Sequence, residues 1–285
     1  MRMVSIMITI KSCKDVPKKV IFETFLNGFV DYPVKFPADE EFFFERFFGA
    51  EGNHLKSSFI AEEDGKGIGL ILGGIRKYDG IKTLRCGTMC IIPEFRGSGI
   101  AKKLWTAHKE EGQRQGCKQL FLEVLHDNIR AINFYEKNGY EKRYILKYYM
   151  GKLNNSEVLN PKKNIVKITF EQIKNFRQSN FGGLHINWQN EIESIELNHT
   201  ENFGLFEEDN LVGAFSVKNG NIFFFGVQQE YRGKGIGTDM LNHINETNHG
   251  EIRISFSNNA SIEGFCKKRM LKLNDVFQYE MYQNL

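Results

Sequence analysis

The chain has 285 residues, 41% hydrophobic and 26% charged, a globular composition with room for one large or two ordinary domains that need no disulfide or metal support. The net charge of +3 is unevenly shared, with 24 Lys and Arg against 19 Asp and Glu in residues 1–150, but no block of five or more like charges appears and nucleic acid is not an expected partner. The five cysteines (Cys13, Cys86, Cys90, Cys117, Cys266) lack metal-ligand spacing and no apolar run reaches membrane-spanning length, so the expectation is a cytoplasmic protein with reduced thiols, no metal and no membrane attachment.

In chain order, residues 4–10 alternate as a strand does, and residues 16–29 follow as an amphipathic helix. Tyr32-Pro33 and Phe36-Pro37 break that helix, because proline disfavours α geometry in the residue before it. Asp39-Glu40-Glu41 opens a second helix with acidic residues suited to a first turn. It continues into Phe42-Phe43-Phe44-Glu45-Arg46-Phe47-Phe48, which reads mostly as core and in part as an apolar wall. Residues 57–62 and 68–75 form a hairpin about the Glu63-Asp64-Gly65-Lys66-Gly67 turn, and 83–92 is a further strand. A helix over 101–115, a strand over 119–125 and a helix over 128–138 closed by Gly139 follow, with extended segments over 140–150.

The polar, turn-rich segment 153–163 reads as a linker between a first domain, 1–152, and a second, 164–285. After it the order partly recurs. A strand at 165–169, a helix at 170–179, and a hairpin of 204–207 with 211–217 come first. A strand at 221–227, a helix at 238–248, a strand at 251–256, a helix at 262–268 and a strand at 276–282 complete the set. The fold class expected is mixed α/β (α+β), with helices packed on a largely antiparallel sheet in each domain.

One motif occurs twice, each time after an apolar strand and before a helix. The copies read Arg96-Gly97-Ser98-Gly99-Ile100-Ala101 and Arg232-Gly233-Lys234-Gly235-Ile236-Gly237. A glycine-rich turn at a helix N-terminus presents unpaired backbone N–H groups and the positive end of the helix dipole, which favour phosphate. Neither copy is a dinucleotide fingerprint nor an ATP-binding P-loop. In the first half, Asn128-Ile129-Arg130-Ala131-Ile132-Asn133-Phe134-Tyr135-Glu136-Lys137-Asn138-Gly139-Tyr140 follows about one strand later.

At these residues the chain resembles the GNAT superfamily of acyl-CoA-dependent N-acetyltransferases, in a tandem two-domain form with a degenerate second copy. The resemblance implies that Gly97, Ser98, Gly99, Ile100 and Ala101 hold the CoA pyrophosphate, with Arg96 pairing to phosphate. It further gives the backbone of Ile91 and Ile92, together with Asn128, to the pantetheine arm. It makes Tyr135 the acid that protonates the departing thiolate, a role that a phenol with an ordinary pKa near 10 suits. Acetyl-CoA is then the cosubstrate and an amine the acceptor, for a monomer or homodimer. The alternative is a non-catalytic acyl-CoA-binding or regulatory protein.

No carboxylate lies on the strand before the first motif, where many members of the family keep a general base; Glu123 and Asp31 are the substitutes the sequence offers. In the second half, aligning Ile132 with Ile262 sets Phe265 at the place of Tyr135, which predicts a domain without that acid.

Overall fold

A computed structural model describes residues 8–32, 35–153, 164–248 and 250–285. The expected linker 153–163 lies outside the described residues except for Leu153, as do residues 4–7 of the first expected strand. Two compact units are present, and neither is one continuous stretch of chain. The first comprises 1–124, 128–143 and 280–285; the second comprises 125–127 and 144–279.

In chain order the first series is β1 (Thr9–Ser12), α1 (Lys18–Gly28), α2 (Glu40–Phe44), β2 (Phe59–Glu63), β3 (Lys66–Tyr78), β4 (Ile81–Ile91), α3 (Ile100–Arg114), β5 (Gln119–Leu125), α4 (Ile129–Lys137) and β6 (Glu141–Gly151). The second is β7 (Ile165–Lys167), α5 (Phe170–Phe181), α6 (Ile192–Leu197), β8 (Glu201–Glu207), β9 (Asn210–Lys218), β10 (Asn221–Val227), α7 (Ile236–Asn248), β11 (Ile252–Ser257), α8 (Ala260–Lys268), β12 (Lys272–Leu273) and β13 (Gln278–Asn284). The mixed α/β class is as expected, with mostly antiparallel pairing and flanking helices. The short helix α6 has no counterpart in the sequence reading.

Within the first unit the strand order is β1-β2-β3-β4-β5-β13. All the registered pairs are antiparallel except β4 with β5. The last strand arrives from residues 280–285: Tyr282 packs on Phe121 at 4.9 Å between ring centroids, and the Leu285 N–H donates to the Lys118 carbonyl. Within the second unit the order is β6-β11-β10-β9-β8-β7, and β6 enters antiparallel to β11. The sheet of the first unit is thus completed by a strand from the far end of the sequence.

Helix α1 buries Ile21, Phe22 and Phe25, residues spaced to fall on one side of a helix. Gly28 permits its close approach, because a Cβ there would stand 2.4 Å from the Cys90 sulfur. The aromatic stretch divides as its spacing dictates. Phe43 and Phe47 are buried against Phe25, at 4.7 and 4.8 Å between ring centroids, whereas Phe42 is exposed. Each buried ring stabilises by about 2 kcal/mol. Asp39 caps α2 through the Phe42 N–H, and a π-helical turn, Glu45–Ala50, follows directly. Among the described residues no helix is long and apolar enough to cross a membrane.

Candidate active site

The first unit opens where β4 leaves β5. Their parallel pairing runs from Thr83 with Gln119 to Cys86 with Leu122 and stops there. Opposite β3 the register shifts at the same place, leaving Gly87 as an extra, unpaired residue. Such a bulge bends the strand and sharpens its twist, so the two strands diverge beyond Cys86. The Ile92 N–H donates to the Ile68 carbonyl, which fixes the alternation of the ladder above the bulge. By that alternation Cys90 bonds to β3, while Met89 and Ile91 turn their backbone groups toward the gap. Ile91 therefore turns its N–H toward the gap, while its carbonyl accepts from Arg96. Ile92 does not, since its N–H is spent on Ile68 and its carbonyl accepts from Phe95; Met89, which the sequence reading passed over, stands in its place.

After β4 a single 3-10 turn, Pro93–Phe95, leads into the glycine-rich loop. Gly97 and Gly99 have φ of 86° and 85°, a left-handed geometry that side chains oppose. A Cβ at either would meet nothing within 4 Å, so glycine is required there for its backbone and not for space. Ser98 turns its hydroxyl back to the Phe95 carbonyl at 2.6 Å. Among the described residues, the N–H groups of Gly97, Ser98, Gly99, Ile100 and Ala101 donate to no protein acceptor. These five donors follow one another at the start of α3, a helix of 15 residues. The loop fits a diphosphate by this criterion.

Arg96 is placed differently from expectation. Its guanidinium holds Asp31 at 2.5 and 2.8 Å, the Gly28 carbonyl at 3.2 Å and the Ile91 carbonyl at 3.0 Å. It clasps the C-terminal end of α1 to the end of β4 and is not turned to the loop. The Arg96 guanidinium in turn holds the Asp31 carboxyl down at about 2. A carboxylate so acidic and so engaged is a poor general base, which removes Asp31 from that role. Glu123 is removed too, because it lies 3% exposed in a hydrogen-bonded ion pair with Arg85 at 2.8 Å.

Helix α4 begins where the Asn128 side chain accepts from the Ala131 N–H at 3.1 Å. Asn128 thus acts as the cap of this helix. Seven residues on, Tyr135 is buried with its hydroxyl 3.9 Å from the Cys86 sulfur, at the last paired residue before the gap. Burial, with smaller contributions from Cys86 and Tyr140, pushes the phenol well above its ordinary value. Burial also pushes the Cys86 thiol up to about 12. Both groups therefore keep their protons at neutral pH.

The second unit repeats much of this frame. Gly233 and Gly235 have φ of 77° and 86°, and Arg232 Nε donates to the Val227 carbonyl as Arg96 does to Ile91. The bulge recurs as well, but the extra residue is Phe223 where the first unit has Gly87. Asn259 caps α8 by accepting from the Ile262 N–H at 3.1 Å. That cap corrects the sequence alignment by one residue. Counting from Asn259, the equivalent of Tyr135 is Cys266 and the equivalent of Gly139 is Met270. The helix ends agree, since Tyr140 donates to the Tyr135 carbonyl and Leu271 to that of Cys266. Phe265 instead packs on Phe225 at 5.5 Å and lines a cavity of about 850 Å³ with Gly226, Arg232, Gly235 and Asn259. None of the residues lining it is Asp or Glu.

Residues 22–140 match the acetyltransferase (GNAT) family, and residues 168–265 match a second acetyltransferase (GNAT) domain. Solved structures share the architecture over nearly the whole chain. A GCN5-related N-acetyltransferase from Sphaerobacter thermophilus is 14% identical with a TM-score of 0.69, covering 97% of this chain and 95% of its own. A putative acetyltransferase from Pyrococcus horikoshii is 13% identical with a TM-score of 0.66, covering 100% and 91%. A tandem GNAT protein from the clavulanic acid biosynthesis pathway is 12% identical with a TM-score of 0.69, covering 98% of both chains. The chain belongs to the GNAT family of acyl-CoA-dependent acetyltransferases. It is the tandem form, with two such domains in succession.

Proposed function

We propose that the first domain is an N-acetyltransferase that moves an acetyl group from acetyl-CoA to an amine, by direct attack in a ternary complex. The observation that carries this reading is Tyr135, a protonated and buried phenol at the point where β4 and β5 part, on the same domain as five successive N–H donors without protein acceptors. Gly97, Ser98, Gly99, Ile100 and Ala101 would hold the pyrophosphate, and the Met89 and Ile91 backbone would hold the pantetheine arm as an added strand does. When bound, acetyl-CoA supplies the activated acyl group. Tyr135 would give its proton to the sulfur as the carbon–sulfur bond breaks and the carbon–nitrogen bond forms; the nitrogen then releases its surplus proton to solvent, from which the phenolate is reprotonated. Arg96 and Asp31 act as positioning residues, which keep α1 seated against the strand that leads into the loop.

The second domain is read as a non-catalytic acyl-CoA-binding module. Its support is the cavity lined by Gly233 and Gly235, which has no carboxylate on its lining. Thiol release from acetyl-CoA, followed against amines, polyamines, aminoglycosides and peptides, tests the first reading. Turnover by the wild type that drops in Tyr135→Phe supports it, while measurable CoA binding without turnover of any acceptor would sink it. Gly235→Glu tests the second: CoA stoichiometry should fall from two to one, and an unchanged value means that the second domain holds none.

A further inference from the structure

The face of the first domain's sheet opposite Tyr135 carries polar groups that protonation of sulfur does not use. Successive residues of a strand point to opposite faces, so Arg85 looks away from Cys86 and Tyr135. There Glu123 already neutralises Arg85 at 2.8 Å. Glu51 is held more loosely, 3.7 Å from Arg85 and 3.4 Å from Arg46, and 21% of its side chain stays exposed. The segment that carries it is tightly seated on the sheet. The Gly52 carbonyl oxygen lies 2.4 Å from where a Cβ of Gly74 would stand, and Asn53 Oδ1 lies 2.2 Å from where a Cβ of Gly87 would stand. Glycine at the bulge therefore makes room for Asn53, whose own amide donates to the Phe47 carbonyl at 2.8 Å.

Two buried oxygens in this cluster, Asn53 Oδ1 and Glu123 Oε1, have no donor among the described residues. With the Glu51 carboxylate they form a set of acceptors beside the point where the strands part. Buried acceptors without donors are costly, at about 1–3 kcal/mol each, and a ligand that brings several donors and a positive charge removes that cost. A primary ammonium has this character; a carboxylate or phosphate does not.

We propose that this cluster receives the ammonium of the acceptor and that the Glu51 carboxylate takes its proton before attack. The proposal rests on the acetyltransferase reading of the first domain. R–NH3+ passes one proton to Glu51, giving a neutral amine with its lone pair exposed and a carboxylic acid that returns the proton to solvent along its open side. Three charged groups face Glu51. Arg85 and Arg46 favour its ionised form and Glu123 opposes it, and burial outweighs them all, raising the carboxyl above its ordinary range and strengthening it as a base. Asn53 and Glu123 orient the nitrogen and transfer nothing.

The test uses the full chain with acetyl-CoA and four probe amines: tyramine, spermidine, kanamycin and a short peptide with a free N-terminus. Thiol release is recorded from pH 5 to 9, and the best amine is titrated calorimetrically into the CoA-bound protein. Glu51→Gln should lower kcat/KM by about 10²–10⁴-fold, remove the acidic limb of the pH profile and weaken amine binding, with CoA affinity unchanged. Glu51→Asp should restore part of the rate. A Glu51→Gln protein with the wild-type profile and amine affinity overturns the proposal and leaves the acetyltransferase reading standing. Wild-type protein that turns over none of the four overturns both. Should Glu51→Gln melt early, Asn53→Ser carries the binding measurement: weaker amine binding supports the site, and unchanged binding overturns it.

Discussion

Tyr135 and Cys266 occupy the same place in two helices that are capped in the same way, seven residues after Asn128 and Asn259. In the first domain the position meets Cys86 across a polar contact. In the second it faces the apolar side of the sheet, within the core that Ile222 and Ile254 help to form. Burial pushes the Cys266 thiol up to about 12, so it stays a protonated thiol at neutral pH. The two domains share this frame and differ in the residue at this place.

Tyr135→Phe should therefore lower kcat by about 10²–10⁴-fold with CoA affinity unchanged, because only a proton donor is lost. Phe265→Tyr in that background should restore nothing, since position 265 faces the second domain's cavity and is not the counterpart of 135. Thiol release by the single and double variants checks both, and a recovered rate would revive the alignment of Phe265 with Tyr135.

Gly99→Ala should destabilise the protein by about 1 kcal/mol, the cost of a left-handed alanine, although a methyl group there touches nothing. Thermal melting measures the loss and calorimetry with CoA the accompanying fall in affinity. A variant as stable as the wild type would mean that the loop adopts other geometry.

The Arg96–Asp31 pair sets an acid-sensitive contribution to stability. The folded pKa of Asp31, about 2, lies below its ordinary value of 3.8, so the contribution is complete above pH 4 and disappears as pH falls toward 2. Because Asp31 is exposed, the effect is small. Asp31→Asn should melt below the wild type at pH 5 to 7 and converge with it near pH 2.

His108 gives a wider window. Burial lowers its pKa from 6.5 to about 3, and the folded protein keeps the ring neutral while the unfolded chain protonates it. Stability from this source is complete above pH 6.5 and declines as pH falls toward 3. His108→Leu should flatten the pH dependence of urea midpoints between 6.5 and 3; an equal slope in both proteins would contradict a neutral buried ring.

Most elements were legible because their signals are local. Caps at Asp39 and Asn128, the hairpin turn at Asp64-Gly65 and the glycine loops each announce themselves within a few residues. The site was less legible where one residue's role depends on a distant partner. Nothing near Arg96 in sequence reveals that Asp31 claims its guanidinium, and nothing near Glu123 reveals Arg85. Glu51 gave no signal at all, since it follows a π-helical turn that has no spacing rule. The one-residue error at Phe265 arose because apolar matching placed Ile262 under Ile132, whereas the cap at Asn259 sets the true count.

The closing strands carry a consequence for synthesis. Residues 280–285 complete the sheet of the first unit, and 144–151 belong to the second. Domains ordinarily fold in the order in which they emerge from the ribosome. Here the earlier unit cannot finish until residue 285 has been made, so its half-built sheet must wait, with one edge bare, while the later unit is translated. A release of the chain before residue 280 would thus cost the first unit its last strand, although every residue of its proposed site is already present.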